Sequence, residues 1–184
     1  SGDLVKIGVL NDQSGPYADF GGTTSVVAAR MAIEDFGGKV LGKPIEIIFA
    51  DNQNKPDIGS NIARQWFDQE RVDMVMVGGA SSVTLAVQEV ARTKGKISIV
   101  SAAAAAEHTG KACSPTGLHW TYDTYALANG TGKALVQQGG DSWFFITADY
   151  AFGHSLERDT TAAIKAAGGK VLGGVRHPIN TSDF

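Results

Sequence analysis

The sequence has one cysteine, no long apolar run and no marked excess of charge of one sign. No stretch approaches the ~20 apolar residues that a membrane-spanning helix needs, so we expect a soluble chain. The net charge of −3 provides no basic field for nucleic acid or anionic lipid. The lone Cys113 excludes an internal disulfide framework and a cysteine-rich zinc site. We expect it to be a small buried side chain, and the alternative is a disulfide with a cysteine in sequence that is missing here.

Signatures of catalysis and of nucleotide binding are also missing. Residues 130–133 read Gly-Thr-Gly-Lys, but a phosphate loop needs Ser or Thr where Ala134 stands and an earlier glycine where Leu127 stands. The histidines are scattered without the spacing of metal ligands: His108, His119, His154 and His177. We therefore expect no enzymatic activity, no cofactor and no metal.

Apolar periodicity alternates between strands and helices along the first 100 residues. Short apolar runs predict strands at 5–10, 45–50, 72–77 and 97–100. Between them, helical spacing predicts helices over 23–36, from Pro56, and after Ser81 and Ser82, which are expected to cap the third helix. Because parallel strands need long crossovers, this order predicts an α/β fold, a doubly wound parallel sheet with helices on both faces.

The same pattern then restarts. Helices are predicted over 124–138 and 152–167, and strands over 143–147 and 171–176. The hexapeptide Gly-Gly-Lys-Val-Leu-Gly at 37–42 recurs at 168–173, and residues 17–21 resemble residues 150–153. We predict two similarly built lobes joined near residues 119–121. Lobe I would span 1–120 and bind ligand, and 121–184 would form the first part of lobe II, which is incomplete in this chain.

The loops that follow the strands are the candidate binding region, since ligands of open parallel sheets bind beyond the carboxyl ends of the strands. Residues 78–82 read Gly-Gly-Ala-Ser-Ser. Glycines allow close approach to the backbone, and a helix N-terminus with hydroxyls suits a carboxylate. The alternative is that Ser82 only caps the helix.

Two further groups of residues complete this candidate site. Ser101 is followed by five alanines, 102–106, which are either a pocket wall of small residues or part of the core. Four aromatic residues on the repeated loops are either apolar walls of the pocket, facing each other from opposite lobes, or core side chains: Tyr17, Phe20, Tyr150 and Phe152.

These loops carry a resemblance to a known family. Residues 11–21, 78–82 and 149–153 resemble three ligand loops of the leucine/isoleucine/valine-binding class of solute receptors of ABC transporters. The resemblance covers nearly the whole chain. It implies a type I periplasmic-binding-protein fold whose two hinged lobes close on a ligand, a periplasmic monomer, and a membrane permease of an ABC transporter as partner. We attribute the absence of a leader before Ser1 to a processed or engineered start.

Carried over residue by residue, the resemblance implies that Ser81 or Ser82 and the backbone at Ala80 hold the ligand carboxylate. Phe20 and Phe152 stand where amino-acid binders have tyrosine, and Tyr122, with Tyr125, is a weaker candidate near the hinge. Ala102 and Ala104 lie in the alanine run, and Ala104 aligns with a threonine that contacts the ligand of amino-acid binders.

That departure suggests the ligand class. Without the threonine hydroxyl, a buried α-ammonium group would lack a partner, which costs several kcal/mol in order of magnitude. Residues 122–132 and 149–153 also resemble the subgroup that binds aromatic acids such as benzoates. We therefore expect an aromatic carboxylic acid. Two alternatives remain open within the same fold, namely a branched-chain amino acid as ligand and a ligand-sensing regulator domain. A nucleotide-dependent enzyme would need a phosphate loop after the first strand.

Overall fold

The computed structural model describes residues 2–182. They form two compact units. The first unit comprises 2–103 and 108–120, and the second comprises 104–107 and 121–182. These units differ from the predicted division at residue 120 by Ala104–Glu107, which pack with the second unit because their backbone is bonded there.

A six-stranded sheet forms the first unit, in the order β2-β3-β1-β4-β5-β6. All neighbours are parallel except β2 and β3. The chain runs from β1 to β3 on one side of β1 and then crosses back to β4 on the other side. The topological switch point therefore lies between β1 and β4. The strands are β1 Val5–Asn11, β2 Lys39–Val40, β3 Lys43–Asp51, β4 Met74–Val77, β5 Ile97–Val100 and β6 Gly117–His119.

Four α-helices belong to this unit: α1 Ala18–Gly21, α2 Thr23–Asp35, α3 Pro56–Asp68 and α4 Ser81–Thr93. Pro56 begins α3 at the first helical position, where a missing N–H has no cost. The ring of Trp66 packs directly on β1, because a Cβ on Gly8 would lie 2.5 Å from that ring. Gly8 is therefore the residue that lets α3 approach the sheet so closely.

The second unit contains a parallel pair of strands and a helical layer. The strands are β7 Ser142–Ala148 and β8 Lys170–His177. The predicted helix over 124–138 is present as three consecutive pieces, α5 Thr124–Leu127, a π-helical segment Ala128–Gly132, and α6 Lys133–Gln137. The long crossover helix is α7 Ala151–Ala166. Asp123 caps α5, since its carboxylate accepts the N–H of Ala126 at 2.7 Å.

Several sequence expectations are corrected here. Cys113 is exposed, not buried, because it lies in a turn closed by its own N–H and the carbonyl oxygen of Gly110 at 3.1 Å. The short strands β2 and β6 and the single-turn α1 were not predicted.

Within residues 2–182, no helix combines the length and apolar character needed to cross a membrane. The same described range holds no cluster of three or more potential metal ligands.

Candidate functional site

The strand-end loops of the first unit meet at Gly78, directly after β4. The side-chain amide of Asn52, after β3, donates to the Gly78 carbonyl oxygen at 3.3 Å. A Cβ on Gly78 would lie 3.3 Å from the hydroxyl of Ser101, 3.5 Å from the methyl of Ala102 and 3.8 Å from Cβ of Asn11. The four loops predicted to form the site are therefore in contact at the carboxyl edge of the sheet.

Gly79 brings the first loop against the third. Its backbone has φ +108°, a conformation that suits glycine, and a Cβ there would lie 3.6 Å from Cβ of Asp12. The buried Asp12 carboxylate accepts the N–H groups of Gly15 at 2.7 Å and Tyr17 at 2.9 Å. Asp12 therefore folds the loop that carries Tyr17 back onto the switch point.

A second carboxylate fastens the first loop to the loop after β3. Asp51 accepts the backbone N–H groups of Gln13 at 2.9 Å and Gln53 at 2.7 Å, and the hydroxyl of Ser14 at 2.6 Å. Partial burial opposes ionisation, but these hydrogen bonds outweigh it and lower the pKa of Asp51 below its ordinary value. Neither aspartate was among the predicted site residues, although each directly follows or ends a strand and begins a turn-rich segment.

The third loop leads into α4 through Ala80. Ala80 is the N-cap residue, with extended backbone and no side-chain cap bond, so Ser81 and Ser82 stand inside the first turn. The prediction that these serines cap the helix is wrong for this reason. Ser81 is buried and Ser82 is half-buried. A helix start without a side-chain cap favours an anion through its N–H groups and its dipole.

Polar side chains on α4 hold the segment that follows the alanine run. The Thr84 hydroxyl donates to the Ser81 carbonyl oxygen at 3.1 Å and lies 2.8 Å from Nε2 of His108. The side-chain amide of Gln88 donates to the carbonyl oxygens of His108 at 3.1 Å and Ala112 at 2.8 Å. Thr84, Gln88 and His108 are all buried, so the helix that begins at Ser81 also fixes this part of the fourth loop.

The alanine run is divided between the two units. Ala102 is half-buried in the first unit, and the carbonyl oxygen of Ala103 accepts a hydrogen bond from Nε2 of His119 at 2.5 Å. Ala104 already belongs to the second unit, where its carbonyl oxygen accepts the N–H of Thr124 at 2.8 Å. Of the two alanines predicted to line the site, only Ala102 lies beside Gly78.

A buried polar cluster anchors the end of the run in the second unit. The N–H of Ala106 donates to the hydroxyls of Thr124 at 3.1 Å and Ser155 at 3.3 Å. Arg158 donates to the Glu107 carboxylate at 2.5 Å. Burial opposes ionisation, but hydrogen bonds from Arg158 and Ser155 lower the pKa of Glu107 from 4.5 to about 2.

Two of the predicted aromatic residues lie together in the second unit. The rings of Tyr150 and Phe152 are 5.9 Å apart between centroids and tilted by 44°. Both line a cavity of about 550 Å³, together with Leu127, Trp143 and Phe145. This apolar cavity extends along β7 from Ala148, where the strand ends shortly before Tyr150.

The remaining candidates are more exposed. Phe20 lies on α1 and is 62% exposed, and Tyr122 lies before α5 and is 55% exposed. The structure brings Tyr17, Ala102 and residues 80–82 to one edge of the first unit, and Tyr150 and Phe152 together in the second unit. Ligand contact by any of the ten predicted residues stays a prediction.

This architecture is shared with known proteins. A model of the periplasmic binding protein family matches residues 4–184. The chain is 52% identical to a periplasmic binding protein from Burkholderia mallei, with a TM-score of 0.97 over 99% of this chain and 48% of that chain. It is 36% identical to a branched-chain amino acid ABC transporter periplasmic ligand-binding protein from Burkholderia xenovorans, with a TM-score of 0.82 over 98% of this chain and 48% of that chain.

A third solved structure is an ABC-transporter solute-binding protein from Rhodopseudomonas palustris in complex with 4-hydroxybenzoate. It is 26% identical, with a TM-score of 0.86 over 98% of this chain and 49% of that chain. The chain thus spans about half the length of each of these proteins. The predicted resemblance to ABC-transporter solute receptors and the predicted type I fold are confirmed. Because the family model extends over nearly all of its residues, the chain belongs to the periplasmic binding protein family.

Proposed function

We propose that this chain is the ligand-binding part of an extracytoplasmic solute-binding protein of an ABC importer, and that its ligand is a small aromatic carboxylic acid. One observation carries the proposal: four strand-end loops converge at Gly78 and Gly79, beside the start of α4. This is the switch point of the sheet, the place where open parallel sheets bind ligands.

The start of α4 supports a carboxylate as the bound group. Ala80 has no side-chain oxygen to accept from the first turn, and the half-buried Ser82 places a hydroxyl next to it. An anion at a helix N-terminus gains hydrogen bonds and a favourable dipole interaction, worth about 0.3–1 kcal/mol for the dipole alone. A ligand carboxylate would therefore be held by the backbone and by Ser82.

The neighbouring loop supports a ligand without an ammonium group. The Ser101 hydroxyl is the single side-chain acceptor of this loop beside Gly78, since Ala102, Ala103 and Ala104 have only backbone oxygens. A buried ammonium ion needs acceptors for its three N–H groups. The 4-hydroxybenzoate complex of the Rhodopseudomonas palustris relative agrees with an aromatic acid.

The remaining parts of the proposal follow from family membership and from the chemistry of this edge. The two buried or bonded carboxylates here, Asp12 and Asp51, accept hydrogen bonds from the loops they shape. We therefore propose binding without catalysis, delivery to a membrane permease, a periplasmic location and a monomeric protein. The contributions of Phe20, Tyr122, Tyr150 and Phe152 to ligand binding belong to the same proposal.

A branched-chain amino acid is the second candidate ligand. The observation that favours it is the 36% identity to the Burkholderia xenovorans protein, which exceeds the 26% identity to the 4-hydroxybenzoate binder. The two candidates differ in one chemical group, because leucine carries an ammonium next to its carboxylate and benzoate does not.

The test is calorimetric titration of the full chain with benzoate, 4-hydroxybenzoate and leucine. We expect the two aromatic acids to bind, and Ser82→Ala to weaken them about 10- to 100-fold, the effect of one hydrogen bond to a charged group. Ser142→Ala, on β7 of the second unit, is the matched control and should leave both affinities unchanged. Binding of leucine alone would replace the aromatic acid with the second candidate, and binding of none of the three would overturn the proposal.

A further inference from the structure

We propose that His119 is a positioning residue that sets the ligand class of this site, by holding the Ala103 carbonyl group on the β6 side of the sheet. The inference rests on the proposed function, because it concerns the alanine loop at the same carboxyl edge. His119 itself does not need to touch the ligand.

The direction of the Ala103 carbonyl follows from the strand order. β5 lies between β4 and β6, and His119 ends β6. The 2.5 Å hydrogen bond from Nε2 of His119 therefore draws the Ala103 oxygen toward the β6 side. One residue earlier, the Ala102 methyl lies near Gly78, on the β4 side. The loop thus presents a methyl group to the switch point and directs the next carbonyl away from it.

The half-buried His119 packs against a buried histidine, His108. The rings of His119 and His108 are 4.9 Å apart between centroids and tilted by 37°. His108 is 3% exposed, and its Nε2 lies 2.8 Å from the Thr84 hydroxyl. That hydroxyl donates to Ser81 at 3.1 Å, so one chain of contacts joins the start of α4 to the alanine loop.

A hydrogen-bond partner also assigns the proton of His119. A carbonyl oxygen can only accept, so Nε2 of His119 carries the hydrogen in its bond to Ala103. The Thr84 hydroxyl lies 2.8 Å from Nε2 of His108 and 3.1 Å from the Ser81 carbonyl oxygen, so this contact is compatible with both tautomers of His108. The bond to Ala103 therefore fixes the tautomer of His119 alone.

The consequence for specificity concerns the ammonium group of an amino acid. In a run of alanines the only acceptors are backbone oxygens. The Ala103 oxygen is drawn toward His119 on the β6 side, so it does not face the switch point. An ammonium ion placed beside Gly78 would lose water without gaining this oxygen, which is costly. A ligand that has a carboxylate and no ammonium avoids this loss.

The test compares His119→Leu with His119→Gln in the full chain and measures dissociation constants for benzoate and leucine. Gln keeps an N–H donor at the end of the side chain, whereas Leu removes it. We expect the preference for benzoate over leucine to fall about tenfold in His119→Leu and to stay within about threefold of the wild type in His119→Gln. A residue with only a structural role would weaken both ligands equally, so an unchanged ratio in His119→Leu overturns the inference.

A second readout is independent of ligand. Long-range ¹⁵N–¹H NMR spectra of the wild type should show hydrogen on Nε2 of His119, and Thr84→Val should shift the His108 signals most. Hydrogen on Nδ1 of His119 with a bare Nε2 would overturn the proposed bond to Ala103. A wild-type chain that binds neither benzoate nor leucine would overturn the proposed function together with this specificity role, whereas binding with an unchanged ratio overturns the role of His119 alone.

Discussion

The hexapeptide Gly-Gly-Lys-Val-Leu-Gly has two structures in this molecule. At 37–42 it forms β2 and a turn in which Leu41 and Gly42 both have positive φ, 51° and 78°, before β3 pairs back antiparallel. At 168–173 it enters β8 and pairs in parallel with β7. In the first unit, pairing of β3 with β1 starts only at Ile45, beyond the hexapeptide, whereas in the second unit Lys170 already pairs with Ser142. The partner strand therefore decides which structure the same six residues take.

What the two copies share is the end of the preceding helix. Gly37 and Gly168 have φ of +93° and +90°, the left-handed conformation common after a helix C-terminus. The following N–H bonds back to the helix at nearly equal distances, Gly38 to Ile33 at 2.8 Å and Gly169 to Ile164 at 2.9 Å. The helix end is thus repeated, and the two copies diverge from the second glycine onward, because Gly38 has φ +71° whereas Gly169 does not have a positive φ.

The largest contrast that we expect between the units concerns burial of their strands. Val75 on β4 is fully buried, whereas Val175 on β8 is 53% exposed. Val75→Ala should lower the free energy of unfolding by about 2 kcal/mol through lost burial and a cavity, and Val175→Ala by less than ~0.5 kcal/mol. Hydrogen exchange measured by mass spectrometry resolves the two units. Equal losses for the two variants would show that β8 is covered as completely as β4.

A smaller effect is expected from the carboxylate that anchors the second unit. Glu107→Gln removes the charge that accepts from Arg158 and should cost about 1.5 kcal/mol at pH 7. Because the pKa of Glu107 is lowered from 4.5 to about 2, its stabilisation is complete above the ordinary value and is lost as pH falls toward about 2. The stabilities of variant and wild type, measured by urea denaturation, should therefore converge as pH falls from 4.5 to about 2.

The control for this pH dependence is Glu70→Gln, which changes an exposed carboxylate of the first unit. It should leave the difference from the wild type nearly constant over the same range. A constant difference for Glu107→Gln as well would mean that the Arg158 contact does not depend on ionised Glu107.

The smallest expected effect tests the hexapeptide itself. Leu41 occupies the first central position of a two-residue hairpin turn, where Asn is preferred because it tolerates positive φ. Leu41→Asn should raise the free energy of unfolding by about 0.5 kcal/mol, while Leu172→Asn, in a bulged parallel strand, should not stabilise. Thermal melts of both variants would check this. Stabilisation by both would indicate that the second copy also populates a turn.

The elements that sequence predicted well are those with strong local signals. Residues 97–100 were predicted as a strand and form β5, because a short apolar run between polar segments allows few other structures. The strands β2 and β6 have two and three residues and exist only through their partners. The π-helical turn at Ala128–Gly132 left the helical periodicity of the sequence almost unchanged, so the pattern predicted one regular helix.

The candidate site was predictable to a similar degree. The Gly-Gly-Ala-Ser-Ser loop was predicted as part of the site because its glycines let a ligand approach the backbone and its serines stand at the start of a helix. The bonds to Asp51 depend on loops that meet only in the folded chain, as does the contact between His119 and Ala103, whereas the bonds to Asp12 lie within the first loop. The alanine run passes from one unit to the other between Ala103 and Ala104. The position of this boundary also depends on long-range contacts, and a run of identical residues gives no sequence signal for it.

The exposed thiol of Cys113 makes this protein suited to optical detection of its ligand. Because it is the only cysteine among these 184 residues, a maleimide dye would attach at one place on this chain without any mutation. Its neighbour Ala112 is tied to Gln88 on α4, the helix whose start is proposed to hold the carboxylate. A polarity-sensitive fluorophore at this position would report on the scaffold of the binding edge from outside it, leaving the loops themselves unmodified.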